Sequence, residues 1–313
     1  MRTRYLYIVL TVISFIGCNP TPEIDNTTML DGDKIFDASI AHPENYLVSE
    51  YVSSPSENTK DKPVIICAHG YSASTFEWDE FREVANNKQT FFVSQVLLGG
   101  HGRDYDAFKE ATWEDWQNSI KLEYQKLVDK GFRNIYLAGS STGAPLIIEM
   151  ISSGYFNTMN IKPKGIYLID PIVVSSNKTL TMVGLLGPVL GYTTSVLESG
   201  EAGKWYIYRP QESLKQLMEL IDLTRKNLQK GIVLPKDTEL KIYKSKIDAT
   251  ADPVSAVMLY KGLKTADGNN VDIEMIDSDI HVFTRLNGRD KKTDKDIQNQ
   301  QNAFADMEMR ILD

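Results

Sequence analysis

The sequence predicts an α/β fold in which a mostly parallel, doubly wound sheet is covered by helices on both faces. Short β-rich runs alternate with longer runs of helical periodicity. A Gly-x-Ser-x-Gly turn at residues 139–143 follows one such run and precedes a helical one. The 313 residues are 42% hydrophobic and 24% charged, which suits one large domain or two small ones and excludes a disordered, collagen-like or coiled-coil chain.

The predicted strands are short runs rich in β-branched and aromatic residues between turn residues. An edge strand over residues 46–52 is followed by six further strands at 64–68, 90–97, 134–138, 165–169, 239–243 and 271–276. From residue 134 onward, strands and helices alternate along the chain. This order predicts β-α-β units and therefore a parallel sheet.

Two helices have clear signals at their first turn. Thr112 with Asp115, and Thr293 with Asp296, have the spacing of a capping box. The first of these helices is predicted to end at Gly131. Its Trp and Tyr residues follow helical spacing, so we interpret them as core residues and not as a platform for a ligand.

Residues 172–235 are too many for a simple connection, so the sequence predicts an inserted cap there. Within it, residues 179–197 are strongly apolar but are interrupted by Gly and Pro. We therefore expect a broken lid over the site and not a membrane helix. Leu186 and Leu190 of this lid are expected to select the substrate, because an apolar lining favours an acyl or aromatic group over a charged one.

The N-terminus has the pattern of an export signal. Arg2 and Arg4 precede an apolar run over residues 5–16, which is shorter than the roughly 20 residues that a membrane span needs. We expect residues 1–17 to be a signal peptide that is removed after export.

The signal ends at Gly17-Cys18, which resembles the cleavage site of bacterial lipoproteins. Cys18 is therefore expected to carry lipid and to anchor an exported lipoprotein to a membrane of the cell envelope. A plain secretory signal is the alternative. Residues 18–34 are polar and contain Pro and Gly, as is typical of a tether, and the folded domain is expected to span residues 35–313.

Charge and cysteine content exclude several classes of protein. With 34 basic and 42 acidic residues the net charge is -8, so no nucleic-acid partner is expected. Cys18 and Cys67 are too few for a disulfide framework or a cysteine zinc site, and Cys67 is expected to be buried in its strand. The sequence contains no phosphate-binding loop and no dinucleotide fingerprint. It also has no two histidines at the H-x-H or H-x-x-x-H spacing of a metal site, so no cofactor or metal is expected.

The turn Gly139-Ser140-Ser141-Thr142-Gly143 has the pattern of a nucleophile elbow between a strand and a helix. The central residue of such a turn has a strained backbone, and its neighbours at Gly139 and Gly143 must be small. Ser141 is therefore the candidate nucleophile, and Ser140 occupies the variable position.

A serine nucleophile needs a histidine base and an acid that orients it, in the chain order Ser, acid, His. Of the four histidines, His281 alone follows Ser141. Asp248 is the first candidate acid, because it follows the strand at 239–243. Asp170 is the second candidate and Asp252 the third, since Asp252 also suits the start of a helix.

An oxyanion that forms at the reacting carbonyl needs two backbone N–H donors. One is expected from Thr142, the residue after the nucleophile, and the other from Tyr71, in the loop after the strand at 64–68. His69, which begins this loop, is interpreted as a structural residue.

Together these motifs resemble those of the α/β-hydrolase superfamily and, within it, the carboxylesterase and monoacylglycerol lipase group. The resemblance extends from about Pro63 to Val282 and implies an inserted cap and an esterase or lipase activity without cofactor. It also implies a triad of Ser141, Asp248 and His281 that forms an acyl-enzyme. Two alternatives remain: a peptidase or amidase with the same triad, and a non-catalytic binding lipoprotein.

Overall fold

The computed structural model describes residue 22 and residues 36–176 and 191–313. The predicted signal peptide, Cys18 and nearly all of the tether lie outside these residues. So does the lid from residue 179 to residue 190, including Leu186 and Leu190. The expectations for these segments therefore stay predictions.

A six-stranded parallel sheet forms the centre of the molecule, as the sequence predicts. Its strands are β1 (Val64–Ala68), β2 (Phe92–Val96), β3 (Ile135–Ser140), β4 (Gly165–Ile169), β8 (Glu239–Ser245) and β10 (Asp272–Ile276). They lie in the order β10-β8-β4-β3-β1-β2, and each neighbouring pair is parallel. The carboxyl ends of these strands share one edge of the sheet, where the candidate site residues are found.

The predicted edge strand at residues 46–52 is wrong, because this segment contains the short helix Val48–Tyr51. It covers the outer edge of β2 without forming a strand ladder. Gln95 N donates a hydrogen bond to Tyr46 O at 2.9 Å, and Val48 N donates to Ser94 Oγ at 3.1 Å. The Ser94 hydroxyl thus takes the place of the backbone carbonyl that would accept from Val48 N in a β-ladder. After this contact the chain turns away from the sheet.

Helices cover both faces of the sheet, with α6 and α7 on one face and α10 on the other. The α-helices of the described residues are α1 (Ala38–Ala41), α2 (Val48–Tyr51), α3 (Glu57–Lys60), α4 (Asp79–Lys88), α5 (Tyr105–Glu110), α6 (Trp113–Asp129), α7 (Gly143–Ser152), α8 (Gln211–Lys230), α9 (Val254–Gly262) and α10 (Asp294–Leu312). Both predicted capping boxes are present, at the starts of α6 and α10.

The two faces of the sheet belong to two separate hydrophobic clusters, because side chains alternate along a strand. In β1, Val64 and Ile66 pack with Trp116 of α6 on one face. Ile65 and Cys67 of the same strand pack on the other face, with Phe304 of α10 among others. Cys67 is buried and unpaired, as expected, and burial raises the pKa of its thiol.

Between β4 and β8 the chain leaves the main sheet. The described part of this insertion contains an antiparallel hairpin, β5 (Tyr192–Thr194) with β6 (Tyr208–Pro210), followed directly by α8. Gly231, at a φ of 86°, ends α8. Short parallel strands β7 (Ile232–Val233) and β9 (Leu263–Lys264) then pair beside the sheet. Among the described residues, none of the helices has the length and apolar character of a membrane span.

Candidate active site

Ser141 lies at the sharp turn between β3 and α7, with a φ of 47°. A serine in this left-handed region is strained, and surrounding contacts must hold it there. Ser141 N donates to Ile169 O of the neighbouring strand at 2.9 Å, and Ser141 O accepts from Ala144 N at 3.3 Å. The residue is 6% exposed and lines a cavity.

The glycines on either side of this turn leave room for nothing larger. A Cβ on Gly139 would lie 2.6 Å from the carbonyl carbon of Gly143, and one on Gly143 would lie 2.4 Å from Ala68 O. In both cases the obstacle is backbone, which cannot move aside as a flexible side chain can. The close approach of α7 to β1 and β3 therefore requires glycine at both positions.

The structure brings Ser141, His281 and Asp248 together in a continuous chain of hydrogen bonds. His281 Nε2 lies 2.9 Å from Ser141 Oγ, and His281 Nδ1 lies 2.8 Å from Asp248 Oδ2. Both distances are within the range for proton transfer or hydrogen bonding between a nucleophile, a base and an orienting acid. The three residues come from sequence positions up to 140 residues apart.

Asp248 is held as a carboxylate by four donors. Its Oδ1 accepts from Thr250 N at 2.8 Å and Ala251 N at 2.9 Å. Its Oδ2 accepts from Lys244 Nζ at 2.6 Å as well as from His281. Burial alone would raise the pKa of Asp248, but the hydrogen bonds and charges of His281 and Lys244 outweigh it and hold that pKa well below its usual range.

The second candidate acid, Asp170, has a different set of partners. It is fully buried, and its carboxylate accepts from Ser245 N at 2.7 Å and from Val282 N at 2.9 Å. Val282 directly follows His281 and has a φ of 53°, which is unusual for a β-branched residue. Within the described chain Asp170 has no hydrogen bond to His281, so it fixes the backbone beside the histidine.

Asp252, the third candidate, lies directly before Pro253, the N-cap of α9. Its carboxylate accepts from Val254 N at 2.8 Å, and its backbone carbonyl accepts from Ser255 N, also at 2.8 Å. These hydrogen bonds hold the chain at the start of the helix. In the described structure Asp252 makes no hydrogen bond to His281.

Lys244 is a site residue that the sequence analysis missed. Its side chain is fully buried between the two carboxylates, with Nζ 2.6 Å from Asp248 Oδ2 and 3.1 Å from Asp170 Oδ1. Asp170, Asp248 and His281 are also residue types that bind metal ions, and their potential ligand atoms lie within 4.8 Å of one another. Lys244 supplies a positive charge beside both carboxylates of this group.

Tyr71 and Thr142, the predicted oxyanion donors, both line the cavity beside Ser141. Among residues 36–176 and 191–313, the backbone N–H of neither residue has a hydrogen-bond acceptor. The loop that carries Tyr71 is held by Glu77, a second residue missed from the sequence. Glu77 Oε1 accepts from Gly70 N at 2.8 Å and from the Ser140 hydroxyl, so it ties this loop to the elbow.

His69 and His101 have structural roles at the ends of β1 and β2. His69 Nε2 accepts from Leu98 N at 3.1 Å, and His101 Nε2 accepts from Ser72 N at 3.2 Å. In each ring Nδ1 then donates to a nearby carbonyl, Gly70 O or Gly99 O. Burial lowers the pKa of both rings, which is consistent with the neutral form that these bonds require.

The cavity in front of Ser141 has a volume of about 230 Å³ and contains both apolar and charged side chains. The apolar part includes Ile172, Leu197, Trp205, Leu214 and Leu217. The charged part consists of Glu77, Glu201, Arg209, Arg285 and Arg289. The expectation of an apolar lining is therefore incomplete, because charges from the insertion and from the loop after His281 reach the same space.

The parallel sheet, the strained serine after its third strand and the inserted segment before β8 define the α/β-hydrolase fold. Solved structures of this fold are similar to the chain over most of its length. One of the metagenome-derived lipolytic enzymes LipS and LipT matches with a TM-score of 0.62 and 16% identity, covering 80% of this chain and 94% of that one. A soluble variant of monoglyceride lipase from Saccharomyces cerevisiae matches with a TM-score of 0.58 and 14% identity, covering 82% and 89%.

A curated relative agrees with these structures. The thermostable monoacylglycerol lipase of Bacillus sp. (strain H-257) is 24% identical over 221 residues, which are 70% of this chain and 83% of that protein. No protein-family model matches the sequence.

Proposed function

We propose that this protein is a serine hydrolase that cleaves carboxylic esters. Ser141 is the nucleophile, His281 the general base and Asp248 the acid that orients the histidine. The observation that carries the proposal is the hydrogen-bond chain from Ser141 Oγ through both ring nitrogens of His281 to Asp248 Oδ2, at 2.9 and 2.8 Å.

In the first half-reaction, Ser141 Oγ attacks the ester carbonyl while His281 Nε2 takes the hydroxyl proton. The tetrahedral intermediate carries a negative oxygen, for which the N–H groups of Tyr71 and Thr142 are the proposed donors. When the intermediate collapses, His281 returns its proton to the leaving alcohol. Ser141 is left esterified to the acyl group.

In the second half-reaction, His281 takes a proton from a water molecule, and the resulting hydroxide attacks the acyl-enzyme. Collapse of this second intermediate breaks the bond to Ser141 Oγ, which regains its proton from His281. The carboxylic acid then leaves. Throughout the cycle the ionised Asp248 stabilises the positively charged ring of His281.

The names of the similar proteins favour esters over amides, since the curated relative is a monoacylglycerol lipase. A peptidase or amidase with the same three residues is the competing activity, because the triad itself does not select the leaving group. A non-catalytic binding protein would have no need for the hydrogen-bond chain of Ser141, His281 and Asp248, which argues against that alternative.

Matched ester and amide substrates with the same acyl group test the proposal. We expect the purified protein to hydrolyse 4-nitrophenyl butyrate and to leave the corresponding 4-nitroanilide intact. Ser141→Ala should lose the esterase activity, while Ser153→Ala, an exposed serine beyond the end of α7, should keep it. Faster cleavage of the anilide would instead favour an amidase, and activity in Ser141→Ala would refute the assignment.

For the cellular location, we propose that Cys18 is lipid-modified and anchors the domain to a membrane of the cell envelope. The support is the short apolar segment that ends at Gly17-Cys18. Mass spectrometry of protein from a bacterial host that processes lipoproteins should find an acylated Cys18 at the new N-terminus. An unmodified Cys18, or cleavage at another residue, would refute the anchor.

A further inference from the structure

Among the residues that the structure describes, three arginines line the cavity in front of Ser141, and two of them have acidic partners. Arg285 forms a salt bridge of 2.5 Å with Glu201, and Arg289 forms one of 3.1 Å with Glu198. Arg209, from strand β6 of the insertion, has no carboxylate within salt-bridge distance among residues 36–176 and 191–313.

The guanidinium of Arg209 is also short of hydrogen bonds. Its Nε is buried and has no partner in the described structure, although the side chain as a whole is partly exposed to the cavity. Burial lowers the pKa of Arg209, but a guanidinium keeps its charge in proteins. A buried N–H donor without an acceptor is costly, so an anion that enters this cavity and accepts from Arg209 gains more here than it would at the protein surface.

The acidic groups beside the cavity in the described residues have other hydrogen-bond or salt-bridge partners. Glu77 accepts from Gly70 N and the Ser140 hydroxyl, and Glu201 is paired with Arg285. Asp248 is hydrogen-bonded to His281 and Lys244. Within the part of the chain that the structure describes, Arg209 therefore has no carboxylate of its own.

Arg209 lies beside the residue proposed to bind the oxyanion. Its Cζ is 5.8 Å from the centre of the Tyr71 ring, and the Tyr71 hydroxyl is hydrogen-bonded to Ser213 Oγ at 2.6 Å. The ring contact and the hydrogen bond link the arginine to the start of α8 and to the loop that carries the Tyr71 N–H. An anion on Arg209 and an ester carbonyl at Ser141 would thus share one small cavity.

We propose that Arg209 forms a subsite for a carboxylate on the substrate, so that the enzyme prefers esters that carry a second, anionic end. This inference rests on the proposed esterase function and names its substrate class. One unpaired guanidinium balances one negative charge, which favours a carboxylate over a doubly charged phosphate or phosphonate. Arg209 and Ser141 line the same cavity of about 230 Å³, so a substrate anion and an ester carbonyl can both be held there.

The test compares two 4-nitrophenyl esters with acyl chains of equal length, the hexanoate and the mono-ester of adipic acid. We expect the wild-type protein to have the higher kcat/KM for the adipate ester. Arg209→Gln should lower that value by about 10- to 100-fold, mainly through KM, and should change the hexanoate value by less than about threefold. Arg225→Gln, an exposed arginine on α8, is the matched control and should change neither value.

Equal losses on both esters, or no loss on either, would overturn the subsite. Arg209→Lys keeps the charge and should retain part of the preference, which separates recognition from a general defect of the hairpin. A third ester that ends in a phosphonate should be a poorer substrate than the adipate. A reversed order would overturn the assignment to a carboxylate.

Binding to the inactive Ser141→Ala protein separates failure of this proposal from failure of the esterase proposal. In a calorimetric titration, monomethyl adipate should bind at least about tenfold more tightly than methyl hexanoate, and Arg209→Gln should remove the difference. If no ester is hydrolysed but this difference is present, the subsite stands and the esterase function fails. If hydrolysis occurs without the difference, the subsite fails alone.

Discussion

Two buried aspartates lie near His281, and their hydrogen bonds assign them different tasks. Asp248 accepts a hydrogen bond from the ring of His281, whereas Asp170 accepts from the backbone N–H groups of Ser245 and Val282. Both follow strands of the same parallel sheet, so strand order alone left the choice open. The decisive feature is which carboxylate faces the ring, and that depends on the path of the loop after β10.

At the level of single residues, we expect Asp248→Asn and Asp170→Asn to fail differently. Asp248→Asn should lower kcat/KM by on the order of ten-thousandfold, as expected when the orienting carboxylate of a triad is lost. Asp170→Asn should cost far less activity, and should lower the free energy of unfolding by about 1–3 kcal/mol because several buried donors lose a charged acceptor. Ester kinetics and urea unfolding of both variants check this. The reverse order of activities would make Asp170 the acid.

Lys244 contributes to keeping Asp248 ionised, so its removal should have a pH-dependent effect. Lys244→Met takes away one of the groups that lower the pKa of Asp248, and that pKa should rise. Protonated Asp248 cannot accept from His281 Nδ1 as a carboxylate does. The loss of kcat/KM relative to wild type should therefore be larger at pH 5 than at pH 8. A loss of equal size at both pH values would show that Lys244 acts through packing alone.

Among the elements, the elbow depends on how closely α7 approaches β1. Gly143→Ala would place a methyl group 2.4 Å from the carbonyl oxygen of Ala68, which must move if the helix is to start there. We expect this variant to lose esterase activity and to melt at a lower temperature than wild type. Ser153→Ala, at the other end of the helix, serves as the control. Wild-type activity in Gly143→Ala would show that the turn adapts more easily than its contacts indicate.

Most elements of the sheet were predictable because local signals and burial agree. β1 and β4 have the predicted bounds, since continuous apolar runs between turn residues suit strands buried on both faces. The capping boxes of α6 and α10 were predictable for a similar reason, because cap and partner are three residues apart. The helix within residues 46–52 was not predictable from local sequence, because the Ser94 hydroxyl of β2, distant in sequence, accepts from its backbone at Val48 N.

The charged part of the site was not predictable from local sequence. Lys244 carries a weak signal, because it is a charged residue at the end of a buried strand and four residues before Asp248. Glu77 and Arg209 carry none. Glu77 acts through its hydrogen bond with Gly70 N, and Arg209 lies against the Tyr71 ring. These contacts form only in the folded chain. The predicted positions of Ser141, Asp248 and His281 needed only strand order and the rule that strand ends meet at one edge.

For the whole molecule, the two buried histidines predict a loss of stability in mild acid. Burial lowers the pKa of His69 and His101 from the value of 6.5 that an unfolded chain has. Below pH 6.5 the unfolded state therefore binds protons that the folded state does not bind. The stability present above pH 6.5 is lost as the pH falls below it. Each ring contributes up to about 1.4 kcal/mol per pH unit.

Urea unfolding between pH 7 and pH 5 measures this effect, and His101→Gln is the informative variant. Glutamine can still accept from Ser72 N but does not titrate. The variant should lose less stability than wild type over this range, by up to about 1.4 kcal/mol per pH unit. Identical slopes for the two proteins would contradict the assignment of a neutral, buried His101.

The central claim is that the elbow, the base and the acid make Ser141 a nucleophile. Reaction with a fluorophosphonate, followed by peptide mass spectrometry, tests it most directly because the reagent marks the activated serine itself. We predict one modification, on Ser141 and not on the neighbouring Ser140, whose hydroxyl is bonded to Glu77. Labelling should be lost in Ser141→Ala and greatly slowed in His281→Ala. A label on Ser140, or labelling that persists in Ser141→Ala, would contradict the account.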